Sequence, residues 1–147
     1  MKSIWNDADQ RALRARVRQL TPQHAAQWGR FTAPQMVIHL CDSMRMAASE
    51  LPVASKNLPI RYTPLKQLII YWLPFRKSTP TAPELLARAP GDFANDRAEL
   101  DRRIEDAARR GPSALAPEHP AFGKMNGRLW GVLIYRHVDH HLRQFGV

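Results

Sequence analysis

Apolar residues recur at helical spacing along most of the chain. In residues 7–20, 32–50, 93–110 and 126–144 they return every three or four positions, which is the period of one helix face. A shorter apolar run predicts a fifth helix over residues 65–73. We find no convincing alternation of apolar and polar side chains of the kind that indicates a strand. The pattern predicts an all-α fold, a four-helix bundle with one short extra helix.

Local signals indicate where the predicted helices begin and end. Thr32 is a predicted N-cap, and Gly111, which is followed by proline, ends the helix before it. Residues 52–64 and 74–90 form long Pro-rich connections, and residues 117–125 contain too many helix breakers to be anything but a loop. The predicted buried faces consist of Leu13, Val17 and Leu20; Met36, His39, Leu40, Ser43 and Ala47; Phe93, Leu100, Ile104 and Ala107; and Trp130, Leu133, Ile134, His137 and His141.

Length and composition predict a single domain over residues 1–147, long enough for one substantial core. The one cysteine, Cys41, excludes an intramolecular disulfide. The first residues turn polar without the apolar core of a signal peptide. The longest apolar run, residues 68–75, predicts a helix across the mouth of the bundle and is far shorter than the roughly 20 residues that span a bilayer. We therefore expect a cytoplasmic protein without a membrane segment.

The net charge of +9 raises nucleic acid or an acidic ligand as a partner. However, the arginines are dispersed along the chain, and acidic residues alternate with them in residues 99–110. Such interleaving is typical of solvated helix faces with ion pairs. No nucleic-acid-binding motif accompanies the charge, so a specific nucleic-acid role is the less favoured interpretation.

Three histidines predict a metal site. His137 and His141 are four residues apart in a predicted helix, so their imidazoles lie on one face about one turn apart. His39 lies in another strongly apolar helix and can supply a third nitrogen. Three imidazoles suit a divalent ion, with zinc as the default and nickel or iron(II) acceptable. The alternative is that the three are ordinary core or surface histidines.

Three segments together resemble the DinB-like superfamily, and more narrowly one of its bacterial branches of unknown function. They are residues 32–43 (TAPQMVIHLCDS), the loop 119–124 (HPAFGK), and residues 130–146, which end in HVDHHLRQFG. The resemblance extends from about residue 28 to the C-terminus. It implies a four-helix bundle with a divalent metal held by one histidine of the second helix and an H-x-x-x-H pair near the end of the last.

The positions that match this ligand set are His39, His137 and His141. Gln144 follows at the spacing the superfamily often has. His140 is adjacent to His141, so a shift of one residue in register could substitute it. His119 falls outside the usual ligand set. Characterised members include metal-dependent transferases and isomerases that use small cellular thiols, which is what the resemblance implies for the reaction.

Other side chains near these positions have simpler interpretations. Cys41 is predicted to be a small buried thiol, and Asp42 to face solvent, with orientation of His39 or approach to the metal as its alternatives. The residues predicted to be core, with pocket lining as the alternative, are Trp28, Met36, Phe122 and Trp130. The arginines that could favour an anionic substrate, such as a thiol bearing a carboxylate, are Arg45, Arg76 and Arg136.

The sequence therefore leaves three hypotheses for function. The first is a metal-dependent enzyme that transfers a small thiol or hydrolyses its substrate. The second is a bundle that binds a metal or small ligand without catalysis, since no acid, base or nucleophile is evident beyond the histidines. The third is a basic interaction protein, for instance for nucleic acid. We also expect a homodimer formed through an apolar helix face.

Overall fold

The computed structural model describes residues 1–77 and 81–147, and this part of the chain is mostly helical. Its α-helices are α1 (Asp7–Gln19), α2 (Ala33–Ala47), α3 (Leu65–Tyr71), α4 (Phe93–Arg110) and α5 (Gly127–Gln144). Its two short strands are β1 (Glu118–His119) and β2 (Gly123–Lys124). Single 3₁₀ turns occupy Pro59–Arg61, Pro83–Leu85 and Pro112–Ala114. None of the helices within the described ranges is long and apolar enough to cross a membrane.

Side-chain caps explain where the long helices begin. Asn6, Thr32, Asp92 and Asn126 each accept a hydrogen bond from a backbone N–H in the first turn of the helix that follows. At Thr32 the cap is reciprocal, because the side chain of Gln35 accepts in turn from the Thr32 N–H. The predicted N-cap at Thr32 is thus confirmed.

The ends of the helices lie within three residues of the predicted ones. The largest difference is in α2, which ends at Ala47 instead of residue 50. Ser49 has a φ of 61°, a left-handed conformation that stops the helix. Helix α4 has the predicted bounds and is closed by Gly111, whose φ is 77°.

The four long helices pack against one another around one apolar core. Helices α1 and α2 each contact both α4 and α5, while α3 packs on α5. The predicted inward residues of α1 and α2 are all buried, whereas Phe93 of α4 and His137 of α5 keep partial exposure. The all-α prediction is confirmed at this level.

Two expectations from the sequence are wrong. The loop at residues 117–125 contains an antiparallel hairpin of β1 and β2, whose strands of two residues are too short to show any alternation. Asp42 does not face solvent: its side chain is 2% exposed and pairs with Arg45 and Arg88, each at 3.1 Å. Burial of this carboxylate is tolerated because two guanidinium groups compensate its charge.

Candidate metal centre

The histidines of α2 and α5 converge in the interior. His39, His137 and His141 each present one ring nitrogen, and these three atoms all lie within 4.8 Å of one another. The Nε2 atoms of His39 and His137 are 3.2 Å apart. The ring centroids are 5.0 to 5.2 Å apart in all three pairs. This group could hold a metal ion.

The helices themselves produce this arrangement. His137 and His141 are one turn apart on the buried side of α5, and α2 packs against α5 with His39 facing the pair. On the same face, the hydroxyl of Ser43 donates to the carbonyl of His39 at 2.8 Å, so this polar group is satisfied within α2.

Gln144 orients the ring of His141. Its amide nitrogen donates to the carbonyl of Trp28 at 2.6 Å, which directs its amide oxygen to Nδ1 of His141 at 2.8 Å. Because that oxygen can only accept, Nδ1 carries the proton and Nε2 keeps its lone pair. Gly29 lies beside this amide with φ at 80°, which favours glycine, and a Cβ there would lie 2.6 Å from the Gln144 nitrogen and displace it.

A carbonyl similarly sets the tautomer of His39. Nδ1 of His39 lies 3.4 Å from the carbonyl oxygen of Leu85, an acceptor, so the proton belongs on Nδ1 and the lone pair on Nε2. The ring of Phe31 stacks on His39 at 5.2 Å and limits its rotation. In both rings the nitrogen left free to bind a metal is therefore Nε2.

Burial keeps the three imidazoles neutral. It lowers the pKa of His39, lowers that of His137 well below its ordinary value, and lowers that of His141 to about 3. For His137 and His141 the neighbouring histidines add to this effect, because each would repel a second positive charge. Neutral imidazole is the form that binds metal.

His140 takes a different position from its neighbour. Its ring lies 5.8 Å from that of Trp28 and 6.0 Å from that of Phe75, and it is not part of the three-histidine group. The ammonium of Lys77 sits 4.4 Å from the centre of the Trp28 ring and forms a cation–π contact there. The register that brings His141 inward is the one the structure adopts.

A cavity of about 930 Å³ opens beside the three histidines. Most of its wall is apolar and is contributed by α2, α3, α5 and the connections between them. Among the lining side chains are Phe31, Met44, Ile69, Leu85, Phe122 and Leu133. The polar groups of the wall include Arg30, Lys56, Arg76, His119, His140 and Gln144. A cavity of this kind can enclose a small molecule next to the candidate metal centre.

Of the other residues singled out in the sequence, some belong to the core and some line the cavity. Met36 and Trp130 are core residues, as predicted, while Trp28 and Phe122 are half-buried, and all but Met36 also line the cavity. Cys41 is confirmed as a fully buried thiol, whose Sγ donates to the carbonyl of Asp96 at 3.6 Å.

The three arginines considered for substrate binding lie in different places. Arg45 pairs with Asp42, and the guanidinium of Arg136 donates to carbonyls at the end of α3, those of Ile69 and Leu73 among them. Arg76 lines the cavity. Sequence reasoning missed Phe31 and the orientation of His119, because neither lies on a helix with a readable period.

These features define a mostly helical protein with a candidate three-histidine metal centre. The chain belongs to the family described as "Protein of unknown function (DUF1569)", whose model matches residues 5–146. No curated protein matches the chain significantly, and no solved structure does so either.

Proposed function

We propose that this protein is a metal-dependent enzyme of DinB-like architecture, in which His39, His137 and His141 ligate a divalent ion. The observation that carries the proposal is the convergence of their ring nitrogens within 4.8 Å. The order of the ligands along the chain supports a DinB-like four-helix bundle, since one comes from the second helix and two from the end of the last.

The distance between the Nε2 atoms of His39 and His137 is compatible with a shared zinc ion. Two nitrogens at the usual zinc distance of about 2.0–2.1 Å are roughly 3.3–3.4 Å apart in tetrahedral geometry. The 3.2 Å between Nε2 of His39 and Nε2 of His137 is close to this edge. With the proton of His39 on Nδ1, its Nε2 lone pair points at His137, an arrangement that a cation between the rings would stabilise.

Three neutral ligands leave the ion with its full charge and an open position. When bound, such an ion supplies Lewis acidity that lowers the pKa of a water or thiol ligand. Zinc is the ion we expect first, with nickel and iron(II) as alternatives. The residues of this chain hold the ligand nitrogens in place, exclude water with an apolar wall, and enclose the substrate in the adjoining cavity.

The reaction we favour is transfer of a small thiol, with hydrolysis as its alternative. Both reactions use a nucleophile, a thiol or a water, whose pKa the bound ion lowers. The adjoining cavity can contain the second reactant. Within the described residues the candidate group consists of imidazoles alone, with no carboxylate. That composition leaves the general base unassigned and also favours the second candidate function, binding of a metal or small ligand without catalysis.

Reconstituted protein tests the enzyme proposal. Zinc-, nickel- and iron(II)-loaded forms are assayed for transfer of small thiols to electrophilic acceptors and for hydrolysis of activated esters and amides. We expect turnover with at least one ion in the wild type and in His24→Ala, whose histidine does not line the cavity, and a loss of at least about 100-fold in His141→Ala. A metal-loaded protein without turnover in any assay would favour the binding function.

Two further interpretations of the whole chain remain proposals. A basic interaction protein would show steeply salt-dependent nucleic-acid binding that survives His141→Ala. A homodimer is supported by the exposed apolar side chains on and just after α3, namely Leu65, Leu68, Trp72 and Leu73. Gel filtration at working concentration tests the homodimer, and elution as a monomer would contradict it.

We also propose that residues 1–147 form one domain and that the protein is cytoplasmic.

A further inference from the structure

His119 on β1 is held more rigidly than a loop histidine needs to be. Its Nδ1 accepts hydrogen bonds from the backbone N–H groups of Ala121 at 3.0 Å and Phe122 at 3.3 Å. Its ring contacts those of Phe122 and Trp130, with centroid distances of 5.0 and 5.4 Å. These contacts fix both the position and the orientation of the imidazole.

The hairpin that carries His119 is anchored to the rest of the fold. The carbonyl of Pro120 accepts from the N–H of Lys56 at 3.0 Å and from the guanidinium of Arg61 at 2.9 Å. Just before β1, the N–H of Ala116 donates to the carbonyl of Ala47 at the end of α2. The ring of His119 is therefore positioned relative to the helix that carries His39.

The two backbone donors also fix the tautomer. A nitrogen that accepts two N–H groups cannot carry a proton itself, so in the neutral ring the proton is on Nε2. Burial, and secondarily the charge of Arg61, lower the pKa of His119 to about 4, which keeps the ring neutral near pH 7. His119 thus presents one N–H donor and no net charge.

That donor is available to a ligand. Among the described residues, Nε2 of His119 has no hydrogen-bond partner, and the side chain lines the same cavity as the three-histidine group. His39, His137 and His141 lie on the wall of that cavity as well, so one molecule in the cavity can meet both His119 and the candidate metal centre. An N–H without a partner, on a side chain that lines an apolar cavity, is a position where a ligand acceptor would gain a hydrogen bond.

We infer that His119 is a substrate-binding residue whose Nε2–H donates to a carbonyl or carboxylate oxygen of a molecule held at the metal centre. This inference rests on the proposed function. The ligand class it implies is a molecule with a metal-binding head, such as a thiol, and an oxygen acceptor a few bonds away. The Nε2–H of His119 would bind the acceptor oxygen of this molecule, and the ion would bind its thiol or other metal-binding group.

The variant His119→Asn separates ligand binding by Nε2 from the structural role of Nδ1 in the loop. The Asn side-chain oxygen occupies the place of Nδ1 and can still accept from the loop N–H groups, but Asn has no group that reaches the position of Nε2. A matched control is His24→Asn, since Nδ1 of His24 also accepts a backbone N–H, that of Thr21 at 3.0 Å, outside the cavity.

The probes are 3-mercaptopropionamide, which carries a carbonyl acceptor, and 1-propanethiol, which lacks it. Their dissociation constants for cobalt(II)-loaded protein are measured by absorbance titration. We expect wild type and His24→Asn to prefer the amide by about 3- to 10-fold, the gain from one neutral hydrogen bond. In His119→Asn we expect this preference to fall to about 1 with unchanged cobalt content and unchanged propanethiol affinity.

The outcomes distinguish this inference from the proposed function. If both thiols bind the cobalt and the amide preference persists in His119→Asn, the role of His119 is overturned while the metal centre stands. If no cobalt or no thiol binds, the proposed function fails and this inference fails with it. Should His119→Asn not fold, the ¹⁵N NMR spectrum of wild-type His119 decides: a proton on Nε2 at pH 7 supports the inference, and one on Nδ1 overturns it.

Discussion

Gln144 links the candidate metal centre to the segment that precedes α2. One end of its amide accepts from His141 and the other donates to the carbonyl of Trp28. The side chain therefore both selects the tautomer of His141 and holds the loop beside it. Mutation of such a partner of a metal ligand typically costs about 10- to 100-fold in metal affinity or activity.

Replacing Gln144 should weaken metal binding without removing a ligand. In Gln144→Met the side chain keeps its length and loses both hydrogen bonds, so His141 can rotate and change tautomer. We expect zinc affinity to fall by about 10- to 100-fold, measured by competition with a chromogenic chelator. His140→Ala, which removes the neighbouring imidazole outside the group, should leave the affinity unchanged. Equal losses in the two variants would contradict this assignment.

Cys41 should be unreactive in the folded protein. Burial is the main cause that raises the pKa of its thiol to about 12, and the nearby Glu99 carboxylate adds to this effect. With an ordinary thiol pKa near 8.5, the thiolate fraction at pH 8 is lower by roughly three orders of magnitude, and reaction with an aromatic disulfide reagent should slow at least as much. Full reactivity should return in guanidinium. Rapid labelling of the native protein would contradict the buried position.

At the scale of elements, the pattern of apolar residues and the signals at Thr32 and Gly111 were enough to predict the five α-helices of the described residues to within three residues. Helix α4 ends where Gly111 predicted, and its predicted start is explained by the cap that Asp92 forms in the structure. The β1–β2 hairpin was not predictable, since its position depends on contacts of Pro120 with Lys56 and Arg61, far away in sequence.

In the candidate site, too, features set by local spacing were predictable and features set by contacts distant in sequence were not. His39, His137 and His141 could be chosen from spacing and the DinB-like resemblance, since helix geometry brings an i, i+4 pair to one face. The burial of Asp42 could not be predicted, because its partner Arg88 lies in a connection without periodicity. The cavity, likewise, is enclosed by segments that meet only in the folded chain.

The cap of α2 should contribute measurably to stability. Thr32→Ala removes the acceptor for the Gln35 N–H and disrupts the reciprocal capping pair. We expect the free energy of unfolding in urea to fall by about 1 kcal/mol, within a range of roughly 0.5–2 kcal/mol. Thr21→Ala, an exposed threonine outside any helix, should change it by less than about 0.5 kcal/mol. A loss at Thr21 as large as at Thr32 would rule out the cap as the cause.

For the whole molecule, the histidines whose pKa is lowered in the folded state couple folding to pH. His39, His119, His137 and His141 all have a lowered pKa in the folded state, about 4 for His119 and about 3 for His141. Below the unfolded value of about 6.5 the unfolded chain therefore binds more protons than the native one. Their contribution to stability is complete above that pH and is lost as the pH falls toward the folded values.

Metal-free protein should accordingly lose stability between pH 6.5 and pH 4. Since one unit of pKa difference corresponds to about 1.4 kcal/mol, the loss should be on the order of a few kcal/mol, measured by urea unfolding at a series of pH values. Above pH 7 these groups should contribute no pH dependence. A smaller slope is expected in His119→Asn. Stability that stays constant or rises on acidification from pH 6.5 would contradict the buried, neutral state of these rings.

Metal content tests the central claim most directly. Tag-free wild type, the double variant His137→Ala/His141→Ala and the control His140→Ala are reconstituted with zinc, nickel or iron(II), desalted and measured by elemental analysis. We predict about one ion per chain in the wild type and the control, and none in the double variant, with circular dichroism showing that all three are helical. A folded wild type that retains no ion after reconstitution, or a double variant that retains as much as the wild type, would contradict the three-histidine metal centre.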